Sequence, residues 1–149
     1  MLCKDIILFD KTTLKMELRD IENREDIFLL VSTFYAKIKK DTFIGPFFLG
    51  AIPENEWDNH LQKLTDFWET NLFFVRNFKG NPMKAHKDLD AQFNYTIEQK
   101  HFGKWLEIWF TTVDELFNGT KAYEAKKRAR NIASVLFLRM FDAKSKKVQ

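Results

Sequence analysis

The sequence is poor in the residues that carry much of small-protein chemistry. Its 149 residues include a single cysteine, Cys3, which excludes an internal disulfide and any cysteine-based metal cluster and fits a reducing compartment. The five glycines and three prolines sit at punctuation points rather than recurring as strand turns. The glycines never fall as GxGxxG or GxxxxGK, so no phosphate loop is formed. HExxH is absent, and no two of the three histidines stand at helical spacing for zinc. An excess of one charge is missing too. The 24 Lys+Arg oppose 21 Asp+Glu for a net +3, and the signs are interspersed, which argues against nucleic acid or a membrane surface as partner. No apolar run approaches the roughly 20 residues of a membrane span. The opening "MLCKDIILFDK" mixes acidic residues into its apolar stretch and lacks a small-residue cleavage site. No signal peptide is expected there, and the expected location is the cytoplasm.

What the chain does have is aromatic bulk. Apolar residues make up 45% of it, and 16 residues are Phe. Such an interior fills a core, the commoner use, or lines a large flat apolar ligand. The length suits one compact domain.

The hydrophobic period is helical. Ile27, Phe28, Leu30, Val31, Phe34, Tyr35 and Ile38 form a stripe, with Asn23 placed to cap it and Glu25 and Asp26 in its first turn. "FIGPFFLGAIP" (Phe43–Pro53) reads as an irregular link, apolar enough to tuck inward. A helix is expected from just after Pro53 to about Phe74. A short one follows, capped by Asn81 with Pro82 at its first position and ending near Leu89. Asp90–Thr96 reads as a loop. Glu98–Phe117 and Thr120 to about Phe141 complete the series. "KKRAR" (Lys126–Arg130) reads as the wet face of the last helix and "KSKK" (Lys144–Lys147) as a fraying end. "DIILFD" reads as a short strand or a loose arm. The fold class is all-α.

Three histidines remain to be explained. His101 opens the penultimate helix beside Lys100 and reads as an exposed first-turn residue. His60 falls on an apolar stripe, where a satisfied core histidine is the commoner case. His86 lies on the side of the short helix that Met83 and Leu89 bury. An imidazole there needs a partner for each ring nitrogen, or a metal. One histidine holds a bare ion poorly, but it can hold an iron whose other ligands come from a porphyrin. That arrangement also needs a polar group over the open iron position. His60, Tyr35 and the indole N–H of Trp105 are each candidates.

Ordered motifs then carry a resemblance. The succession "FYAKIKKD…IGPFF…W..HL.KLTDFWE…GNPM.AH…HF.KWLEIWF.TVDELF.G…A.KRA.NIA" resembles the truncated haemoglobins, specifically their third group, from about Ile21 to about Met140. The glycine pairs of the first two groups are absent. The resemblance implies a truncated globin-like two-over-two helical sandwich around haem b (iron protoporphyrin IX). It implies Tyr35, His60 and Trp105 as distal residues that stabilise a ligand, and His86 as the proximal iron ligand. Phe47, Phe48 and Leu64 are the implied contacts of the macrocycle, and Met83 and Leu89 on the buried side of the short helix and Phe102 on the stripe of the next are expected to join them. The implied domain spans 21–143, preceded by an unexplained extension, 1–20, and followed by a tail, 144–149.

The implied function is binding of oxygen and other diatomic gases, nitric oxide and carbon monoxide, at a five-coordinate iron. Oxidation of nitric oxide or reduction of peroxide, with a reductase as partner, extends it. Binding or sensing without turnover is the competing reading, and a haem-free helical interaction module is the remoter one. Lys63, Arg76, Lys84 and Lys87 lie in the right neighbourhood for haem propionates, although solvated charge is the commoner role of such residues.

Overall fold

A computed structural model describes residues 17–148, with side chains to residue 146. Cys3, "DIILFD" and most of the 1–20 extension lie outside the described residues. The described residues form six α-helices: α1 (Arg24–Lys40), α2 (Gly45–Ala51), α3 (Trp57–Phe73), α4 (Pro82–Gln92), α5 (Gln99–Leu116) and α6 (Thr120–Val148). A 3-10 turn, Glu54–Glu56, leads into α3. No strand occurs among the described residues. α1 pairs with α3 and α5 with α6, and the pairs cross through α1–α5 and α3–α6 contacts, giving a two-over-two sandwich. α2 packs on α1, and α4 packs on α6.

Local chemistry sets the helix starts. The Asn23 side chain accepts from the Asp26 N–H at 2.9 Å, which caps α1 as its sequence predicts. Asp26 is buried, and Arg19 grips it with two hydrogen bonds of 2.6 Å. The guanidinium holds this carboxyl below the usual carboxylate range. The neighbouring Asp20 reaches across the molecule to the start of α6. Its two oxygens accept from the Lys121 and Ala122 N–H groups, each at 2.9 Å, satisfying donors that a helix start leaves open. Gly119 lets the two segments meet. Its φ is +149°, and a Cβ there would lie 2.4–2.7 Å from Asp20 atoms.

The core is built of aromatic edges and stacks. Phe34 meets Trp109 edge to face at 5.0 Å and Trp105 at 5.4 Å. Trp109 stacks on Trp68 at 4.5 Å and on Trp105 at 5.9 Å, and its own N–H donates to the Ala125 carbonyl. Three indoles thus run in file from α3 into α5.

Three expectations from the sequence are corrected. "FIGPFFLGAIP" is not irregular throughout, because Gly45–Ala51 is helical, with Pro46 in its first turn where its missing N–H costs nothing. Asp41 closes the preceding turn by accepting from the Phe43 and Ile44 N–H groups, both at 2.9 Å. A side chain at Gly45 would strike the Ile38 carbonyl at 2.8 Å. The short helix runs to Gln92 rather than Leu89. Asp90 is buried in its last turn, accepts from the Ile97 N–H at 3.0 Å and pairs with Lys144 at 3.4 Å. α6 continues past Phe141 to Val148, held there by Lys144, which also donates to the Ile97 carbonyl. Among the described residues no helix is long and apolar enough to cross a membrane.

Candidate functional site

Between the helices lies a cavity of about 570 Å³, within the range of cofactor pockets. Aromatic and aliphatic side chains form most of its wall, with a few polar groups set among them. Tyr35 comes from the buried stripe of α1, His60 and Leu64 from α3, and Trp105 and Phe102 from α5. Phe47 and Phe48 come from α2, and His86 and Leu89 from α4. Met83, grouped with these by its place in the sequence, does not line the cavity; it is half-buried one turn before His86.

His86 is oriented by its own helix. Its Nδ1 lies 2.7 Å from the Pro82 carbonyl oxygen, one turn back. Only a protonated Nδ1 can donate to a carbonyl, so Nε2 is left as the basic nitrogen. The Asn81 side chain accepts from the Lys84 N–H at 3.1 Å and caps this turn. Burial pushes the imidazole below its ordinary pKa, and the hydrogen bond to Pro82 opposes that. Phe102 lies nearly parallel to the ring, 6.4 Å away.

Tyr35, His60 and Trp105 form a second polar group on the wall. Tyr35 and His60 meet edge to face at 5.4 Å. Burial drives the phenol above its ordinary pKa, and the Trp105 indole opposes the shift. Tyr35 is therefore a neutral hydroxyl at ordinary pH, able to donate. Burial, and then the nearby Lys63 and His86, lower His60 to about 4, so it is neutral as well. Among the described residues no group of three or more His, Cys, Asp or Glu side chains is placed to hold a metal ion by itself.

His101 departs from its expected exposure. It is half-buried and lines the cavity, stacked on Phe43 at 4.7 Å and edge-on to Phe47 at 4.9 Å. Its Nδ1 accepts from the Glu98 N–H at 2.8 Å. The Lys100 beside it in sequence gave the opposite signal. Phe67, from the apolar stripe of α3, and Phe78, 5.2 Å from it, also line the cavity. Phe78 had a readable signal: a large apolar residue in the turn before α4, like those in the link after α1. Of the four basic residues considered for propionates, Lys63 lines the cavity. Arg76 and Lys87 are exposed, and Lys84 is exposed and pairs with Asp88 at 2.8 Å.

The helical sandwich and its mostly apolar cavity, with the imidazole of His86 held at its wall, define a globin-type protein, and comparison with known proteins agrees. No protein-family model matches the chain. It is similar to the Group 3 truncated hemoglobin ctb of Campylobacter jejuni, at 32% identity over 114 residues, covering 75% of this chain and 86% of the relative. The crystal structure of the group III truncated hemoglobin from Campylobacter jejuni superposes with a TM-score of 0.72 at 30% identity, covering 80% of this chain and 92% of that one. The chain belongs to the group III truncated haemoglobins.

Proposed function

We propose that the cavity holds haem b with His86 Nε2 as the proximal iron ligand, and that the protein binds oxygen, nitric oxide and carbon monoxide on the side of Tyr35, His60 and Trp105. The observation that carries this reading is the commitment of His86 Nδ1 to the Pro82 carbonyl at 2.7 Å, which leaves a basic nitrogen at the wall of a mostly apolar cavity of about 570 Å³. A neutral imidazole with its second nitrogen held by a backbone carbonyl is the usual form of a histidine ligand. The donor set fits the group, because the protein offers one nitrogen and a porphyrin supplies the remaining equatorial ligands.

Bound haem would supply an iron for binding a diatomic gas and for one-electron chemistry. The chain's own residues do the rest. Phe47, Phe48, Leu64, Leu89 and Phe102 supply apolar surface and limit water. Tyr35 and Trp105 offer an O–H and an N–H, neutral donors that favour a ligand carrying negative charge. A hydrogen bond to a charged acceptor contributes roughly 1.5–3 kcal/mol, enough at its low end to slow ligand release about tenfold. Slow release suits oxidation of nitric oxide or reduction of peroxide, with a reductase returning electrons, better than transport. A cytoplasmic setting completes the reading.

Titration of the haem-free protein with haem is the test. A Soret band saturating at one equivalent is expected, lost in His86→Ala while far-UV circular dichroism keeps the helices. A colourless protein, or a His86→Ala variant with an unaltered haem spectrum, would count against it. Nitric-oxide consumption in the presence of a reductase then separates turnover from binding alone.

A further inference from the structure

Two buried polar atoms find no hydrogen-bond partner among the described residues, Trp57 Nε1 and His60 Nε2. Such atoms are uncommon and costly in a folded interior, and here they belong to the same small cluster. Trp57 opens α3 and His60 follows one turn later, so the two rings share a helix face. They meet edge to face at 5.7 Å and 85°, and Tyr35 touches both, at 5.9 Å and 5.4 Å. Trp57 is only 4% exposed, and Lys39 lies 4.0 Å over its ring, so the indole is held firmly.

The chemistry of the two atoms is complementary. An indole N–H can only donate. Neutral imidazole carries its proton on one nitrogen and accepts at the other, and His60 is neutral because burial lowers it to about 4. We propose that Trp57 is a positioning residue for His60: its N–H, relayed by one buried water molecule, makes His60 Nε2 an acceptor and so fixes the proton on Nδ1. The relay accounts for two partnerless nitrogens in neighbouring rings. The edge-to-face rings make no direct bond, and a single water can accept from the indole and donate to the imidazole. With the proton on Nδ1, His60 offers an N–H from that nitrogen while the Nε2 lone pair is engaged. Resting on the function proposed above, this assigns His60 as a hydrogen-bond donor to a ligand rather than as an iron ligand.

The test is the tautomer of His60, read by long-range proton–nitrogen correlation on protein labelled with 15N-histidine. The His60 signals are identified by their loss in His60→Ala. Haem-free protein and the diamagnetic carbon monoxide form are both measured. The proposal expects the proton on Nδ1 in the wild type and its transfer to Nε2, the form a free histidine side chain prefers, in Trp57→Phe, which keeps an aromatic ring and removes the N–H. It also expects a crystal structure to place a water within hydrogen-bonding distance of both nitrogens. Wild-type His60 protonated on Nε2, an unchanged tautomer in Trp57→Phe, or no water between the rings overturns it. Should Trp57→Phe fail to fold, the wild-type tautomer still decides. Failure to bind haem would sink the proposed function, yet leave the tautomer in the haem-free protein as a separate result.

Discussion

The Nδ1 of His86 and the carbonyl oxygen of Pro82 are 2.7 Å apart, so the residue that starts α4 also aims its imidazole. Pro82 has no N–H to lose at that position, and Asn81 fixes the turn from outside through the Lys84 N–H. The cap should therefore matter to the cofactor. Asn81→Ala is expected to loosen the first turn at a cost of about 1 kcal/mol and to speed haem loss roughly fivefold. Transfer of haem to an excess of an apo-globin acceptor measures that rate.

Tyr35→Phe removes one hydroxyl and leaves the ring contacts with Phe34, Phe48 and His60. The oxygen dissociation rate is expected to rise about tenfold with little change in thermal stability. Stopped-flow displacement of oxygen by carbon monoxide reads it, and an unchanged rate would remove Tyr35 from the ligand's hydrogen-bond partners.

His60 links stability to pH. Its folded-state pKa of about 4 lies below the ordinary 6.5, so between those values the unfolded chain binds a proton that the folded chain refuses. Stability is complete above about pH 6.5 and falls as pH drops toward 4, by on the order of 2 kcal/mol after allowing for partial exposure. Urea unfolding of the haem-free protein across that range should show the slope, and His60→Leu should flatten it. Asp26 acts in a lower window. Arg19 depresses its pKa, so its contribution is lost only as pH falls below the ordinary carboxylate range.

Lys144 ties the end of α6 to the buried Asp90 and to the Ile97 carbonyl. Lys144→Met strips the buried carboxylate of its cation and should cost about 1–3 kcal/mol. Hydrogen exchange should quicken in the last turns of α6 and at the Ile97 amide, which Asp90 also holds.

The parts of the fold written as local pattern were legible in the sequence. The stripe from Ile27 to Ile38, the Asn23 and Asn81 caps and the proline at the head of α4 all depend on neighbours within a turn or two. What escaped depended on distant partners. Asp90 reads as a loop residue until Lys144, on another helix, makes its burial tolerable. His101 reads as exposed until Phe43 and Phe47 enclose it. Phe78 reads as turn until Phe67 meets it. Gly45–Ala51 reads as broken because Gly-Pro usually ends a helix, whereas here it begins one. Met83 shares a helix face with His86 in projection, yet the cavity does not extend to it.

The Asp20 bracket on α6 carries a consequence for the order of folding. Its hydrogen bonds span 101 and 102 residues of chain, so they form only after the intervening helices have brought the two segments together. Contacts of such long range carry the largest loop-closure cost, and they are expected to form after the local helices and after the rate-limiting barrier. Breaking them should leave the refolding limb of a chevron plot nearly unmoved and lift the unfolding limb. The bracket thus works as a late clasp, setting how long the folded molecule lasts rather than how quickly it is made.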